Sequence, residues 1–529
     1  MKTKRFNLFL LAVFFLAILL RLIGIRWGLP NSHHYFSYHP DEILIIGASS
    51  NVDLFHLKLD TKFYNYGSLY IFIVSFLNTL ALAWGFLNGG PFYLQLSQMI
   101  LIGRAASALM GAGTVLIVYQ IAKHLYDEDV AKASALLLAI APLHMLHSHY
   151  TAVDVPTTFF LSLSFLFSVL LLNKQKDSYF FLGGLFAGLA TATKYNAILV
   201  AVPLFYLLFK KGLTPKRLAY LSFGIIAGFL IGCPGSLLNF PKFKNDFLYE
   251  MRHTRLGHGD LFVNTGPGWL YNLRTLFFTL GVPLFLAFLF GVIVALFKHT
   301  AGDSLILSFL IPYYLLISFS NVRFARYLIP LIPFVLILSA RPFFPHRRNL
   351  LREVAVLTFT LIFVYTSLLS LAYLSSLTRA EPRDIAGNWL RQNLKKGDKV
   401  GLLQLPWFYS PAFIPYNGGK MSERDFYEWN LKSPYKVVII GWDKRKLLEE
   451  KPDYFVVSNF EFIHPLRLKR PSALEFWNEL ERRYRLVKDF KQELRFLGIS
   501  FPFVPQSIPE DVLYTFPEIR IYKIREGKL

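Results

Sequence analysis

Long apolar runs recur along the first 375 residues and constrain this chain more than any other feature. A helix of about 20 apolar residues crosses a bilayer, and backbone in hydrocarbon must satisfy its own hydrogen bonds. The first run is Asn7 to Leu29. Others follow at roughly 99–122, 130–148, 156–172, 179–194, 196–209, 218–235, 272–297, 303–319, 327–340 and 352–375. The pattern predicts about eleven spans. At 529 residues and 54% hydrophobic, the chain is too apolar for a soluble protein of its size. The first run is too long for a signal-peptide core and lacks a small-residue cleavage site, so it reads as a retained span. The single cysteine, Cys233, excludes an internal disulfide.

Charge orients the spans. Lys2, Lys4 and Arg5 precede the first run and place the N-terminus in the cytoplasm. The stretch Leu69 to Leu87 is ambiguous, because counting it as a span reverses every later loop. Read as a juxtamembrane or re-entrant helix, it puts Lys174/Lys176, Lys210/Lys211/Lys216/Arg217, Lys298 and Arg341/Arg347/Arg348 all in the cytoplasm. From about Leu377 the apolar runs stop. Short β-rich runs at Lys399–Gln404, Lys436–Gly441, Tyr454–Val457 and Ile519–Ile524 alternate with helical patterns at Arg383–Asn393 and Ser472–Leu486. These predict a small α/β domain over 377–529, on the outer side because the span count is odd. Residues 1–376 form the membrane domain, with outer loops at 30–98 and 149–156. The net charge of +22 suits cytoplasmic anchoring, anionic headgroups or phosphate-bearing substrates. Nucleic acid is disfavoured, because the basic residues form no patterned motif.

The first outer loop holds Tyr38-His39-Pro40-Asp41-Glu42. Pro40 suits the first position of a helix, and the dipole favours carboxylates in its first turn. The pair therefore reads either as helix-end charges or as chemistry at a membrane face. The same face is expected to carry Lys62, Tyr64 and Tyr66, then Arg104, Asp154, Lys194-Tyr195-Asn196, and Arg323 with Arg326. Each has an ordinary alternative: snorkelling for Arg104 and Lys194, and a helix start for Asp154 ahead of Pro156. His144, His147 and His149 precede Asp154 and, with His39, form a possible ligand set, but their spacing fits no zinc signature.

The sequence resembles the protein O-mannosyltransferase and lipid A aminoarabinose transferase family of bacterial membrane glycosyltransferases, within the GT-C superfamily. The resemblance rests on Tyr38–Glu42, Tyr150–Pro156, Gly103–Leu109, Thr193-Lys194-Tyr195 and Phe324–Pro330. In the tail it rests on Pro452–Val457 and Tyr514–Tyr522. It implies an enzyme of the plasma (inner) membrane that takes a sugar from a polyprenyl-phosphate donor on the extracytoplasmic side. The acceptor is left open among lipid, glycan and protein, and no cofactor or metal is expected.

On this reading Asp41, Glu42 and Asp154 are the catalytic carboxylates, with Asp41 as general base. Lys62, Arg104, Lys194, Arg323 and Arg326 are candidates to hold the donor phosphate. His39, Tyr66, His149 and Tyr195 are candidate substrate contacts. No covalent nucleophile stands out, so a single inverting displacement is expected. A lipid or glycan transporter is the competing class, and would show repeats and mid-membrane polar breaks. A membrane-anchored glycan-binding protein is a third.

Overall fold

The computed structural model describes residues 8–87, 89–174, 176–344, 350–413, 422–502 and 508–525. Lys2, Lys4, Arg5, Arg347 and Arg348 lie outside them. The protein is a polytopic helical membrane protein with a C-terminal α/β domain. Among the described residues, five helices are long and apolar enough to cross a membrane, and five more apolar helices are shorter. The expected run at 272–297 is interrupted as Gly268–Leu280 and Val282–Lys298, with Gly281 at φ +77° and Pro283 in the next turn. The run at 327–340 begins as a 3-10 helix, Ala325–Leu331, before Ile332–Ala340. Proline and glycine break these segments because one lacks an N–H and the other frees φ.

The break in the run at 130–148 has a visible repair. Helix Glu128–Ile140 stops before Pro142, which cannot donate back to the Leu138 carbonyl. The buried Arg21 guanidinium donates to the Leu138 and Ala139 carbonyls at 3.2 and 3.1 Å, and to Ser148 Oγ at 3.1 Å. A side chain from the first helix, Leu8–Leu22, thus supplies the donor that the proline removes.

Helices Ser178–Thr191 and Pro215–Gly232 pack closely through Gly184, Gly188, Gly224 and Gly228. A Cβ on Gly188 would run into the Ile225 carbonyl oxygen, and one on Gly228 into that of Leu185. Small residues four apart let helix backbones approach in a membrane, where packing replaces the hydrophobic drive.

Helix Leu69–Ala83 is a short apolar helix. It starts beside Ala192, whose carbonyl accepts from Leu69 N at 3.0 Å, and packs on helices Pro40–Ser49 and Phe92–Leu125. Tyr70 donates to the Gly103 carbonyl at 2.7 Å, and Ser75 to the Val52 carbonyl at 3.2 Å.

The C-terminal domain carries a five-stranded sheet in the order β2-β1-β3-β7-β4. Its strands are β1 Lys399–Leu402, β2 Lys436–Ile439, β3 Tyr454–Ser458, β4 Tyr484–Lys491 and β7 Glu518–Ile524. Strand β1 pairs in parallel with β2 and β3, whereas β7 runs antiparallel between β3 and β4. The four β-rich runs read from the sequence are all strands. Strand β4 is the addition: the helical pattern at 472–486 ends with helix Pro471–Arg483, and the chain turns directly into a strand. A two-stranded hairpin, β5 Arg495–Phe496 and β6 Ile499–Ser500, packs on the end of helix Leu350–Thr378, where Ser375 Oγ donates to the Arg495 carbonyl at 3.0 Å.

Candidate active site

Helix Pro40–Ser49 begins at Pro40, so Asp41 and Glu42 occupy its first turn. Neighbouring helical residues point about 100° apart. The two carboxylates therefore face different surroundings.

Glu42 points inward. Its oxygens accept from Arg104 Nε and Nη2, both at 2.7 Å, in a fork in which both side chains are fully buried. The Thr151 N–H at 2.9 Å and the Ser37 hydroxyl complete its shell. Burial acts to raise the carboxyl, but Arg104, joined by Ser37, holds it below the ordinary range. Arg104 also donates through Nη1 to the Ile25 and Trp27 carbonyls, at 2.7 and 2.6 Å. This corrects the expected part of Arg104 in phosphate binding: it is an internal strut. The Glu42 carboxylate is turned into the protein and held on Arg104, Ser37 and the Thr151 N–H. The strut joins the segments around Glu42 and Thr151 to the end of the first helix.

Asp41 points the other way and is partly exposed. Its Oδ2 lies 3.2 Å from Arg326 Nη2. Arg326 follows Phe324, whose ring lies 4.1 Å beneath the guanidinium, and its Nη1 is buried with no hydrogen-bond partner. The backbone that carries it is held by a residue from the far end of the chain. Asp511 accepts from Ala325 N at 3.0 Å and from Arg326 N at 2.8 Å, closing the start of the 3-10 helix. Beside it, burial raises the Glu510 carboxyl to about 8.

Asp154 opens helix Asp154–Asn173, and its Oδ1 accepts from Lys194 Nζ at 2.6 Å. The Lys194 ammonium also sits 4.3 Å over the ring of Tyr327, the residue after Arg326. Tyr327 thereby joins the Asp41–Arg326 and Asp154–Lys194 pairs.

The remaining expected residues divide. Tyr66 lies close enough to feel the Asp41 and Arg326 charges. Tyr195 donates its hydroxyl to the Tyr64 and Tyr66 carbonyls at 2.8 and 3.0 Å, so it positions the first loop. His149 places both ring nitrogens 2.9 Å from carbonyls, those of Met145 and Ile23. These contacts correct the expectation that Tyr195 and His149 touch substrate through their polar atoms. Lys62 is exposed in a tight turn, its N–H bonded to Asp60 at 2.8 Å. Arg323 ties the 257–266 loop through Thr265 Oγ1 at 3.0 Å and the Gly266 carbonyl at 2.6 Å. It borders a cavity of about 450 Å3 that His258, Phe262 and Asn321 also line.

His39 is buried against Tyr150, ring centroids 4.3 Å apart, and both its nitrogens lack partners. Burial pushes its imidazole down to about 3, against the pull of Glu42, so the ring is neutral. Among the described residues, the nitrogens of His147 and the hydroxyl of Tyr150 are likewise buried without a hydrogen bond, and His147 Nε2 lies 3.9 Å from Asp511 Oδ2. Among the described residues, no group of three or more His, Cys, Asp or Glu side chains is placed to share a metal ion.

Three contributors escaped the sequence reading. Arg383 lies 3.8 Å over the Tyr38 ring and donates to the Phe408 and Tyr514 carbonyls at 2.6 and 2.7 Å. Glu381 accepts from Trp27 Nε1 and from Arg383 Nε, at 2.9 and 2.8 Å. Arg383 and Glu381 hold the second domain against Tyr38 and Trp27, and Asp511 holds it against the 3-10 helix Ala325–Leu331. A signal was present: Pro509-Glu510-Asp511 repeats the proline-acid-acid order of Pro40-Asp41-Glu42.

Residues 93–234 match the sequence model of the family described as dolichyl-phosphate-mannose-protein mannosyltransferase. An uncharacterized protein of Aquifex aeolicus (strain VF5) is 26% identical over 245 residues, which is 44% of this chain and 47% of that relative. The match thus spans about half of the relative's length. ArnT from Cupriavidus metallidurans in the apo state shares 14% identity at a TM-score of 0.52, over 97% of each chain. ArnT bound to undecaprenyl phosphate shares 12% at 0.51, over 93% of this chain and 99% of that one. The chain has the fold of the GT-C membrane glycosyltransferases.

Proposed function

We propose that this protein is a glycosyltransferase that moves a sugar from a polyprenyl-phosphate donor to an acceptor hydroxyl. The reaction runs on the membrane face that bears Asp41, which the charge bias of the loops makes extracytoplasmic. One observation carries the reading. Two carboxylate–cation pairs, Asp41–Arg326 and Asp154–Lys194, are brought from four separate segments to one end of the helical bundle. The partial match to a mannosyltransferase family and the fold shared with ArnT support it.

The chemistry follows from the pairs. Arg326 and Lys194 are the cations beside the two carboxylates, and a donor phosphodiester competes with those carboxylates for them. Asp41, the more exposed carboxylate, is then free to take the acceptor proton. The acceptor oxygen attacks the anomeric carbon as the bond to the phosphate oxygen breaks. The lipid phosphate leaves with its charge held by Arg326 and Lys194. One displacement inverts the anomeric carbon. Asp154 holds Lys194, and the neutral His39 ring offers hydrogen bonds to sugar hydroxyls without adding charge. No step runs through a metal, and activity in EDTA tests that. A transporter finds no support in this arrangement, because the paired charges gather at the ends of spans and not at mid-depth.

The test is transfer from a labelled polyprenyl-phosphate sugar by purified protein. Asp41→Asn should lower turnover by about 10²–10⁴ while donor binding is roughly kept. Lys194→Ala should weaken donor binding. Near-wild-type turnover by Asp41→Asn removes the base role, and loss of activity in EDTA removes the metal-free reading.

A further inference from the structure

The ends of four membrane segments meet at a pocket that the proposed reaction does not use. Helix Asp154–Asn173 leads away from the site, Ser178–Thr191 returns, Ala201–Lys210 leads away again and Pro215–Gly232 returns. A 20-residue helix is about 30 Å long, so the pocket lies on the opposite face. It encloses about 260 Å3. The buried Leu171 and Phe180 line it together with Lys176, Lys210, Lys211, Arg217 and Asp177.

Four cations thus face one carboxylate. Arg217 is fixed in place: Nε donates to Asp177 Oδ1 at 2.8 Å, and Nη1 to the Lys211 and Gly212 carbonyls at 2.7 and 3.1 Å. Basic residues that only set orientation need no pocket. Here they border a partly open pocket backed by the buried Leu171 and Phe180. From the pocket a lipid-facing strip runs along helix Pro215–Gly232, through Tyr220, Phe223 and Ile226, all exposed. Lys216 lies 5.7 Å over the Tyr220 ring, and Phe223 stacks on Phe181 at 6.0 Å.

We propose that this pocket binds the phosphate headgroup of an anionic glycerophospholipid, with an acyl chain along Tyr220, Phe223 and Ile226. A diester phosphate between two helical hairpins neutralises the excess charge, and the tail stays in hydrocarbon. The strip of exposed aromatic and aliphatic side chains favours a lipid over a soluble phosphate.

The experiment uses the full chain in neutral detergent, with bound lipid read by native mass spectrometry. Phosphatidylglycerol and phosphatidylcholine are offered together. Wild type should retain phosphatidylglycerol by about 10-fold or more. Lys210→Gln with Lys211→Gln should abolish most of that preference, since each lysine near a membrane surface is worth about 5-fold. Lys210→Arg with Lys211→Arg should keep it, and an unchanged thermal transition shows that the glutamine variant is folded. Equal preference in the glutamine and arginine variants overturns the proposal. Displacement of phosphatidylglycerol by millimolar inorganic phosphate overturns the lipid assignment and makes the site one for free phosphate.

Discussion

Asp41 and Glu42 are adjacent and chemically alike, yet they occupy opposite environments. Glu42 is fully buried in a fork with Arg104, and Asp41 meets Arg326 at a partly open surface. Breaking a buried pair by removing one partner leaves an uncompensated charge, at about 3–5 kcal/mol. Glu42→Gln should therefore lower thermal stability by an amount in that range. Asp41→Asn keeps an amide beside the buried Arg326, so it should cost less stability than Glu42→Gln while lowering turnover. A scan of both variants by thermal unfolding separates a strut from a base. Similar losses in the two would show that the carboxylates share one structural role.

At the scale of elements, two devices hold the site's supports in place. The glycines between helices Ser178–Thr191 and Pro215–Gly232 allow backbone contact just below Lys194 and Tyr195. Gly188→Leu places four carbons against the Ile225 carbonyl and should force the helices apart. Overpacking of a close core costs about 1–3 kcal/mol, and turnover should fall as Lys194 moves from Asp154. Intact activity at wild-type stability would mean that the hairpin does not position Lys194. The second device is the start of helix Asn459–Arg467, where Glu461 accepts from Ser458 N at 2.9 Å. Burial raises its carboxyl to about 8, from an ordinary 4.5. The folded state therefore keeps a proton that the unfolded chain releases. Its stability is full below about pH 4.5 and falls as pH rises toward 8. Glu461→Gln should flatten that slope in a series of thermal transitions, and an identical slope in the variant would assign the dependence to other groups.

At the scale of the whole molecule, Glu381 and Arg383 hold the C-terminal domain against Trp27 and Tyr38, and Asp511 holds it against the Arg326 backbone, so that domain and the candidate site lie on one face. Among the described residues, Lys174, Lys210, Lys298 and Arg341 stand at the opposite helix ends. Cysteines placed at the exposed His56 and Lys488, in a Cys233→Ser background, should react with a membrane-impermeant maleimide from outside the cell. One at the exposed Leu213 should not. The reverse labelling pattern would place the site in the cytoplasm and rule out a donor presented on the outer side.

Hydropathy along the chain determined the membrane domain, the change of character near Leu377 and the strands at 399, 436, 454 and 519, because spans and strands are written in local periodicity. The same reading found Asp41, Asp154, Lys194 and Arg326, because an ionisable group beside an apolar run is conspicuous. It was silent on strand β4, which follows a helix with no turn residue between them. Tertiary structure alone decided which carboxylate of the pair faces outward and that Arg104 is a strut. It also brought Asp511 from the far end of the chain to hold Arg326. The reason is physical: burial and charge pairing depend on distances in space, and a charge cannot reveal from its neighbours in sequence which partner will neutralise it.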